Sequence, residues 1–356
     1  MSTVTTHHPP RARRRAVALR LALAVTLATL LPMQSACTQT RMGQNGRPLS
    51  SDLRLATWNM DWLLTPATRA ELGNTCQARQ PSSDQHALPC TPGRTPPPTR
   101  SAADFDALAR TADQLRDTVK ADVVALQEVD GAAAARQVFR QGWAVDCFVQ
   151  RAHPQKVGFA IREGTPYRCN GDLGLLDVDG SSRGGADVTI YPGTPREVRL
   201  LAVHLKSGCF DGKLDRQFPP CQRLRQQVPV LERWVDARVR EGVAFALLGD
   251  FNRHLDKDAR YPAGPDESAP FNLFNALSDN EPPGATLVRA TEGAPSIPCD
   301  ADDHHSQYID DVLVSSQLAG RASQRQFARV PYAPEDRGRM LSDHCPVVFS
   351  LIGALR

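Results

Sequence analysis

Asp250 and Asn252 are the first residues whose type and spacing point to chemistry. They follow the apolar run Ala244–Leu248, which ends at Gly249. Such a run indicates a buried strand, and α/β sheets bind ligands beyond the carboxyl ends of their strands. On an extended backbone, residues two apart point to the same side, so a carboxylate and an amide would face one ligand. Taken alone, however, the fragment fits a strand followed by an ordinary Asp/Asn turn better.

Similar polar groups accompany five other apolar segments, and this repetition favours a site over a turn. The additional residues at or near strand ends are Asn59, Glu128, His204, Asp310, Asp343 and His344. Burying such groups without partners costs several kcal/mol each, so core packing does not explain them. Convergence on one cavity explains them all.

The residue types also indicate which chemistry that cavity would perform. Carboxylate and amide oxygens without thiolates favour a hard cation such as Mg²⁺. A cation of this kind stabilises charge on phosphate oxygens, and two histidines add donors that titrate near neutral pH. Asp310 would hold His344 in one tautomer. The set is suited to the attack of water on a phosphoester.

With these motifs in order, the sequence resembles the endonuclease/exonuclease/phosphatase superfamily. The resemblance spans about Leu53–Ile352 and rests on TWNMD, ALQEV, SRGG, VHLKS, GDFN, IDDVLVS and SDHCPV. It implies an α/β (α+β) fold, a four-layer sandwich in which helices flank two packed mixed β-sheets. It also implies a hydrolase that acts on phosphoester bonds.

The resemblance further implies a metal site. Asn59, Glu128 and Asp343 match metal-binding positions, with Glu128 as the principal ligand. Asp61 matches a position near the metal in only part of the family. The implied cofactor is Mg²⁺, with Mn²⁺ or Ca²⁺ as alternatives.

The remaining matches imply roles in catalysis. Asp250 would orient the attacking water or act as its base, and Asn252 would hydrogen-bond the phosphate. His204 and His344 would stabilise the transition state or protonate the leaving group. Asp310 would pair with His344.

Other positions bear on the substrate. Arg183 matches a phosphate-contacting arginine of deoxyribonuclease-like members, whereas Asp311 stands where many members have an aromatic residue. The segments Pro66–Arg100 and Leu255–Pro298 match regions that usually set substrate choice in this family. The first is predicted to be a surface insertion and the second a long irregular connection.

Hydrophobic spacing predicts the elements that position these residues. Helices are expected at Phe105–Val119 and Leu224–Val239, where apolar residues recur at helical intervals. Trp143–Gln150 and Lys156–Arg162 are expected to be neighbouring strands. The segments 188–191 and 198–205 are expected to form a hairpin.

The first 36 residues have the features of an export signal. Five arginines precede or interrupt an apolar stretch that is too short for a stable membrane span. Cys37 follows Ser35-Ala36 as in a lipoprotein signal, so we expect export, with a lipid anchor as a further possibility. A membrane-anchoring helix that stays uncleaved is the alternative. Residues 37–52 would be a linker and 53–356 the catalytic domain.

Charge and cysteine content agree with an exported enzyme. Without the five leader arginines, 37 basic side chains remain against 39 acidic ones, so a strong general affinity for polyanions is excluded. Eight further cysteines suggest disulfides, with Cys76–Cys90, Cys209–Cys221 and Cys147–Cys169 as the predicted pairs. None of the cysteines forms a CxxC motif, which disfavours a thiolate zinc site.

Three functions compete at this point. The first is an exported, metal-dependent nuclease acting on DNA or RNA, expected to be a monomer. The second is a phospholipid phosphodiesterase or a phosphomonoesterase, for which Phe271–Leu277 is a weak candidate membrane-contacting segment. The third is a non-catalytic surface lipoprotein, and the complete set of polar residues argues against it.

Overall fold

The computed structural model describes residues 50–78, 99–180, 182–260, 272–300, 303, 307–339 and 341–356. The predicted signal segment, the linker up to residue 49 and the pair Cys76–Cys90 lie wholly or partly outside these residues. In the part of the chain that is described, no helix is long and apolar enough to cross a membrane.

Among the described residues, twelve strands, numbered in chain order, make up two sheets. Their bounds are Leu53–Leu63 (β1), Val123–Val129 (β2), Trp143–Asp146 (β3), Lys156–Arg162 (β4), Tyr167–Leu173 (β5), Gly185–Ile190 (β6), Val198–His204 (β7), Ala244–Asp250 (β8), Leu287–Arg289 (β9), Asp310–Ser315 (β10), Gln324–Arg329 (β11) and Val347–Ile352 (β12). One sheet has the order β11-β12-β1-β2-β4-β3 and the other β5-β6-β7-β8-β10-β9. The predicted pairing of β3 with β4 and the β6–β7 hairpin are both present.

Seven α-helices accompany the sheets within the described ranges. They are Pro66–Ala78 (α1), Ala102–Gln114 (α2), Ala132–Ala135 (α3), Pro219–Glu241 (α4), Leu255–Asp258 (α5), Leu273–Leu277 (α6) and Ser316–Arg321 (α7). A capping box between Ser101 and Asp104 starts α2, and Gly242 in the left-handed region ends α4. The apolar stripes predicted on α2 and α4 are buried, each against the outer face of one sheet.

The sheets pack face to face and form the central core. Side chains from both sheets interdigitate there, among them Leu55, Phe159, Val188 and Leu248. Helices cover the outer faces, which gives the predicted four-layer α/β sandwich of two mixed sheets. Continuous apolar runs in the central strands, such as Ala244–Leu248, produce this arrangement, because these strands are buried on both faces of their sheet.

The strand directions bring the polar residues to one edge of the sandwich. Each sheet has one parallel pair near its centre, β1–β2 in the first and β7–β8 in the second. Strand β10 runs antiparallel to β8 with Asp310 opposite Asp250, and β12 runs antiparallel to β1. The carboxyl ends of the parallel pairs therefore meet the amino ends of β10 and β12.

Two connections differ from expectation. The predicted insertion at 66–100 begins with the helix α1, and residues 79–98 lie outside the described part. The predicted irregular connection after residue 254 contains α5, α6 and β9. Leu273 and Leu277 of α6 are buried in the core beneath α4, so the segment proposed to contact membranes packs inward instead.

Three disulfides are present among the described cysteines. Cys147–Cys169 and Cys209–Cys221 match the predicted pairs. Cys299–Cys345 was not anticipated, since its partners are 46 residues apart and loop-local spacing gives no hint of it. It joins the chain before β10 to the residue that follows His344.

Candidate active site

Local irregularities in two central strands direct polar side chains into the edge of the sandwich. The β1–β2 register shifts between Asn59 and Leu63, and the β2–β4 register shifts between Leu126 and Val129. Glu128 lies at this second shift with a φ of 57°. A bulge of this kind turns a side chain away from the regular alternation, and positive φ in a non-glycine residue is uncommon outside constrained sites.

Asn59 joins the two sheets at this edge. Its Nδ2 lies 3.1 Å from Asp250 Oδ2 and 3.4 Å from Glu128 Oε1, so the amide donates toward carboxylates of both sheets. Its Oδ1 accepts from the backbone N–H of Asp61 at 3.0 Å. Asn59 thus contacts the predicted principal ligand directly, while its own role as a ligand stays a prediction.

Asp250 and Asn252 face the same region, but not through an extended backbone. Asn252 has a φ of 50°, and its N–H donates to Asp250 Oδ1 at 2.7 Å, so the segment is an Asx turn after β8. The Asn252 side chain donates to Leu205 O at 3.1 Å. Its amide has a second N–H, which is the group that the predicted phosphate contact requires. The extended backbone with same-side alternation is therefore wrong, and the Asp/Asn turn that this fragment alone favoured is present.

The Asp250 carboxyl is buried opposite Asp310. Burial and the Asp310 charge raise the pKa of Asp250 to about 7. A carboxyl with this pKa is close to half ionised at neutral pH and can accept a proton there. This matches the chemistry expected of a base for an attacking water.

His204, at the end of β7, contacts the same carboxylates. Its Nε2 lies 3.4 Å from Asp250 Oδ2 and 3.7 Å from Glu128 Oε1. Burial, helped by the nearby positive charge of Arg183, lowers the pKa of His204 well below its ordinary value. The imidazole is therefore neutral at physiological pH and can donate one hydrogen bond without a net charge.

The pKa of His344 is shifted in the opposite direction to that of His204. Its Nδ1 lies 2.6 Å from Asp310 Oδ2, which is the pairing predicted from the sequence. Burial opposes its charge, but Asp310 and the neighbouring carboxylates outweigh that effect and raise the pKa of His344 well above its ordinary value. The two histidines therefore differ in charge, and only His344 offers an imidazolium.

Asp343 and Asp61 lie at the rim. The Asp343 side chain is 72% exposed, and its Oδ1 is 3.8 Å from His344 Nε2. Burial, with the Asp343 and Glu128 charges, raises the pKa of Asp61 to about 7. Asp343 is thus farther toward solvent than Glu128 and Asp250, and its predicted metal role stays a prediction.

A divalent cation fits this group of oxygen donors. Ligand atoms of Asp250, Asp310 and His344 lie within 4.8 Å of one another. Asp310 Oδ1 is buried and has no hydrogen-bond partner among the described residues, as expected of a carboxylate that awaits a cation. Glu128 adds a further carboxylate through its shared contacts with Asn59 and His204. Bound positive charge would stabilise the ionised forms that burial disfavours.

Gln155 is a site residue that the sequence did not reveal. Its Nε2 donates to Glu128 Oε2, and its Oε1 accepts from the Arg183 guanidinium at 2.6 Å. It thus orients both the principal predicted ligand and the predicted phosphate-contacting arginine. A lone glutamine beside a strand gives no signal of its own, because its role depends on which residues the fold places next to it.

Arg100 is a second residue without a sequence signal. Its side chain, only 3% exposed, donates to the carbonyl oxygens of Met60, Asp61, Trp62 and Leu341. Nearby, Ser342 Oγ donates to Asn59 O at 2.8 Å. These contacts fix the end of β1 against the segment that carries His344, and the Arg100 guanidinium also lies 3.9 Å from Asp61 Oδ2, so Arg100 positions two parts of the site.

A cavity of about 460 Å³ opens over these groups. It is lined by Glu128, Arg183, His204, Asn252, Asp310 and His344, by Arg329 of β11, and by neighbouring segments that include Phe210, His254 and Tyr308. Four of the five side chains predicted for catalysis therefore share one cavity with Arg183, and the fifth, Asp250, is buried in contact with His204 and Asn59.

The sequence profile of the Endonuclease/Exonuclease/phosphatase family matches residues 56–344. The chain belongs to this family. The match runs from TWNMD to His344 within SDHCPV, and it identifies the chain as a hydrolase that acts on phosphoester bonds. A comparison with curated proteins finds no match.

Solved structures of this family share the fold. TDP2 from Caenorhabditis elegans superposes with a TM-score of 0.52 at 14% identity, covering 86% of this chain and 77% of that chain. The 3′-5′ exonuclease NExo from Neisseria meningitidis gives a TM-score of 0.46 at 19% identity, covering 84% and 100%. The human nocturnin catalytic domain gives 0.47 at 14% identity, covering 85% and 94%. At 14% identity the likeness to TDP2 shows the fold alone.

Proposed function

We propose that this member of the Endonuclease/Exonuclease/phosphatase family is an exported, Mg²⁺-dependent phosphodiesterase that cleaves DNA or RNA. The observation that carries the proposal is the shared cavity. It is lined by one charged and one neutral histidine and by Arg183, the predicted phosphate-contacting arginine, and the buried Asp250, whose pKa is about 7, contacts His204 in its wall. Water, phosphate and leaving group would each find a chemically suitable partner there.

Asp250 would accept a proton from the attacking water, since its carboxyl is poised near neutrality. Asn252 would donate its second amide N–H to a non-bridging phosphate oxygen. Glu128, with Asn59 and Asp343, would hold the cation. When bound, Mg²⁺ would supply positive charge to the phosphate oxygens.

The histidines would act on the developing negative charge. His344 would present Nε2 as an imidazolium donor, because Asp310 occupies Nδ1. His204 would donate as a neutral imidazole from the opposite side of the carboxylates. Arg183, held by Gln155, would bind a phosphate oxygen and orient the phosphodiester.

The nuclease is favoured over a lipid-specific enzyme by two features. Arg183 lines the cavity, as a polyanionic substrate would require. The segment that the lipid hypothesis needs at the surface, around α6, contributes its leucines to the core. A phospholipid or phosphomonoester substrate therefore remains an alternative without a supporting contact surface.

Export and a monomeric state are parts of the same proposal. Three disulfides are typical of an oxidising compartment, which supports a periplasmic, secreted or lipid-anchored enzyme. Cys37 would carry the lipid if an anchor is present. Fractionation of cells expressing wild type and Cys37→Ser tests this, because only a lipid anchor predicts membrane recovery that the substitution abolishes.

The activity is tested with protein lacking the first 37 residues. We expect it to nick plasmid DNA or degrade RNA with Mg²⁺, to stop with EDTA, and to recover when Mg²⁺ is restored. His344→Ala should lower turnover by about 10²–10³-fold, by analogy with the loss of an oxyanion donor. Release of phosphocholine or inorganic phosphate, without cleavage of any nucleic acid, would refute the nuclease and support the alternative.

A further inference from the structure

An exposed phenylalanine lies in the wall of the catalytic cavity. Phe210 is 40% exposed and lines the same space as Glu128, Asn252 and His344. Single exposed apolar side chains are common on protein surfaces, so exposure by itself does not indicate function. The position of Phe210 and the way its loop is held distinguish it.

The loop that carries Phe210 is fixed from beneath. Cys209 is bonded to Cys221 in the first turn of α4. The buried guanidinium of Arg253 donates to Cys209 O at 2.9 Å and also to Gly212 O, and it is paired with the buried Asp258 at 2.7 Å. The backbone on both sides of Phe210 is therefore anchored to the segment that follows Asn252.

The ring is also supported from its side. The backbone N–H of His254 donates to the backbone oxygen of Phe210 at 3.0 Å. The centroids of the two side-chain rings are 6.1 Å apart, with their planes inclined by 31°. His254 Nδ1 lies 2.9 Å from Asp211, and Lys257 Nζ lies 3.2 Å from the same carboxylate. A rigidly mounted aromatic ring in a cavity loses little conformational entropy when a planar ligand packs on it.

We propose that Phe210 is a stacking surface for the nucleobase next to the scissile phosphate. This inference rests on the proposed nuclease function and adds a determinant of substrate binding to it. The cavity places an aromatic face beside phosphate-directed groups, Arg183 and His344, as a nucleotide requires. Base stacking on aromatic side chains is largely tolerant of base identity, so Phe210 would favour base-bearing strands without reading sequence.

The test compares two single strands of equal length under steady-state conditions. One is oligothymidylate, and in the other every base is replaced by hydrogen on a tetrahydrofuran sugar. Phe210→Ala should raise KM for oligothymidylate about tenfold, a change of about 1.4 kcal/mol, with kcat changed less than twofold. KM for the abasic strand should not change, and Phe210→Trp should restore the preference for bases.

Phe218 provides a matched control. It lies in the same loop, between Cys209 and Cys221, is 43% exposed, and does not line the cavity. Phe218→Ala should behave as wild type, and thermal melting should show that all variants are folded. The stacking role is wrong if Phe210→Ala keeps the preference for bases or raises KM equally for both strands. The proposed nuclease function would be unaffected by either result.

Failure of the proposed function gives a different result. Wild type that cleaves neither strand, nor any other nucleic acid, refutes the nuclease and the stacking role together. If the protein hydrolyses sphingomyelin vesicles and this activity depends on Phe210, the ring contacts a lipid substrate. The proposal that it stacks on a nucleobase would then be wrong.

Discussion

Gln155 connects Glu128 to Arg183, with its amide N–H directed at the carboxylate and its carbonyl oxygen at the guanidinium. Since Gln155 is only 3% exposed, its orientation is set by these two partners. One neutral side chain therefore sets the distance between the predicted metal ligand and the predicted phosphate ligand. Its exchange for a charged isostere tests that arrangement.

Gln155→Glu should lower kcat/KM by at least tenfold and raise the Mg²⁺ concentration needed for half-maximal activity. The new carboxylate would repel Glu128 and pair with Arg183, which would draw the arginine away from the phosphate. Metal titration and steady-state kinetics measure both effects. Gln222→Glu, on an exposed position of α4, is the control and should leave both unchanged. Equal kinetics for wild type and Gln155→Glu would contradict the arrangement.

The pairing of Asp310 with His344 predicts a shift in pH dependence. The raised pKa of His344 keeps its imidazolium charged above neutral pH, so activity should fall only as the pH rises through that raised value. Asp310→Asn removes the largest favourable charge, and the alkaline limb should move to lower pH. The contribution of charged His344 to the stability of the fold depends on pH in the same direction as the activity. It is fully present below the ordinary pKa of histidine and is lost as the pH rises through the raised pKa of the folded state. pH–rate profiles at saturating Mg²⁺ would measure the limb, and an unmoved limb would exclude His344 as the charged donor.

Gly249 is predicted to tolerate no side chain. A Cβ at this position would lie 2.0 Å from Val203 O of the neighbouring parallel strand, and neither backbone can move without separating β7 from β8. Gly249→Ala should reduce the free energy of unfolding by about 3 kcal/mol and displace His204 and Asp250 together. Chemical denaturation and activity assays measure the two effects.

Gly320→Ala is the control for that substitution. Gly320 lies in the helix α7 with no atom close to an added Cβ, so alanine there should raise stability by up to about 1 kcal/mol. Similar stability for the two variants would show that β7 and β8 are not held as closely as described.

The Cys299–Cys345 disulfide should affect activity as well as stability. Because its partners are 46 residues apart, the loop-closure estimate for its loss is about 4 kcal/mol. Cys345 directly follows His344, so Cys299→Ser with Cys345→Ser should also lower kcat. Removing Cys147–Cys169 in the same way should lower the melting temperature with kcat unchanged. Unchanged kcat in both double variants would exclude a positioning role for Cys299–Cys345.

The sequence was sufficient to predict nine of the twelve strands, all except β5, β9 and β11, and most of the residues that meet in the cavity. Apolar runs that end in Glu128, His204 or Asp250 leave few places for those side chains except a common edge. The pairing of Asp310 with His344 followed from chemistry alone, because a histidine that stabilises negative charge needs a carboxylate on its other nitrogen.

The residues that escaped prediction act through contacts between distant segments. Gln155, Arg100 and Phe210 have no motif, and their roles depend on which carbonyl, carboxylate or ring the fold places beside them. At Asn252 the Asp/Asn turn that the fragment alone favoured is present, and the extended backbone was a competing interpretation because both satisfy the same spacing. The substrate-directed segments were the least predictable, as their helices are short and packed by tertiary contacts.

Asn59 and Ser342 touch across 283 residues of chain, and Asn59 also spans the gap between the sheets. During synthesis, Asn59, Glu128 and Asp250 therefore emerge from the ribosome long before His344 does. A nascent or truncated polypeptide that ends before β10 contains neither Asp310 nor His344. The predicted catalytic pair of Asp310 and His344 is therefore complete only once the last strands, which also complete both sheets, have been synthesised.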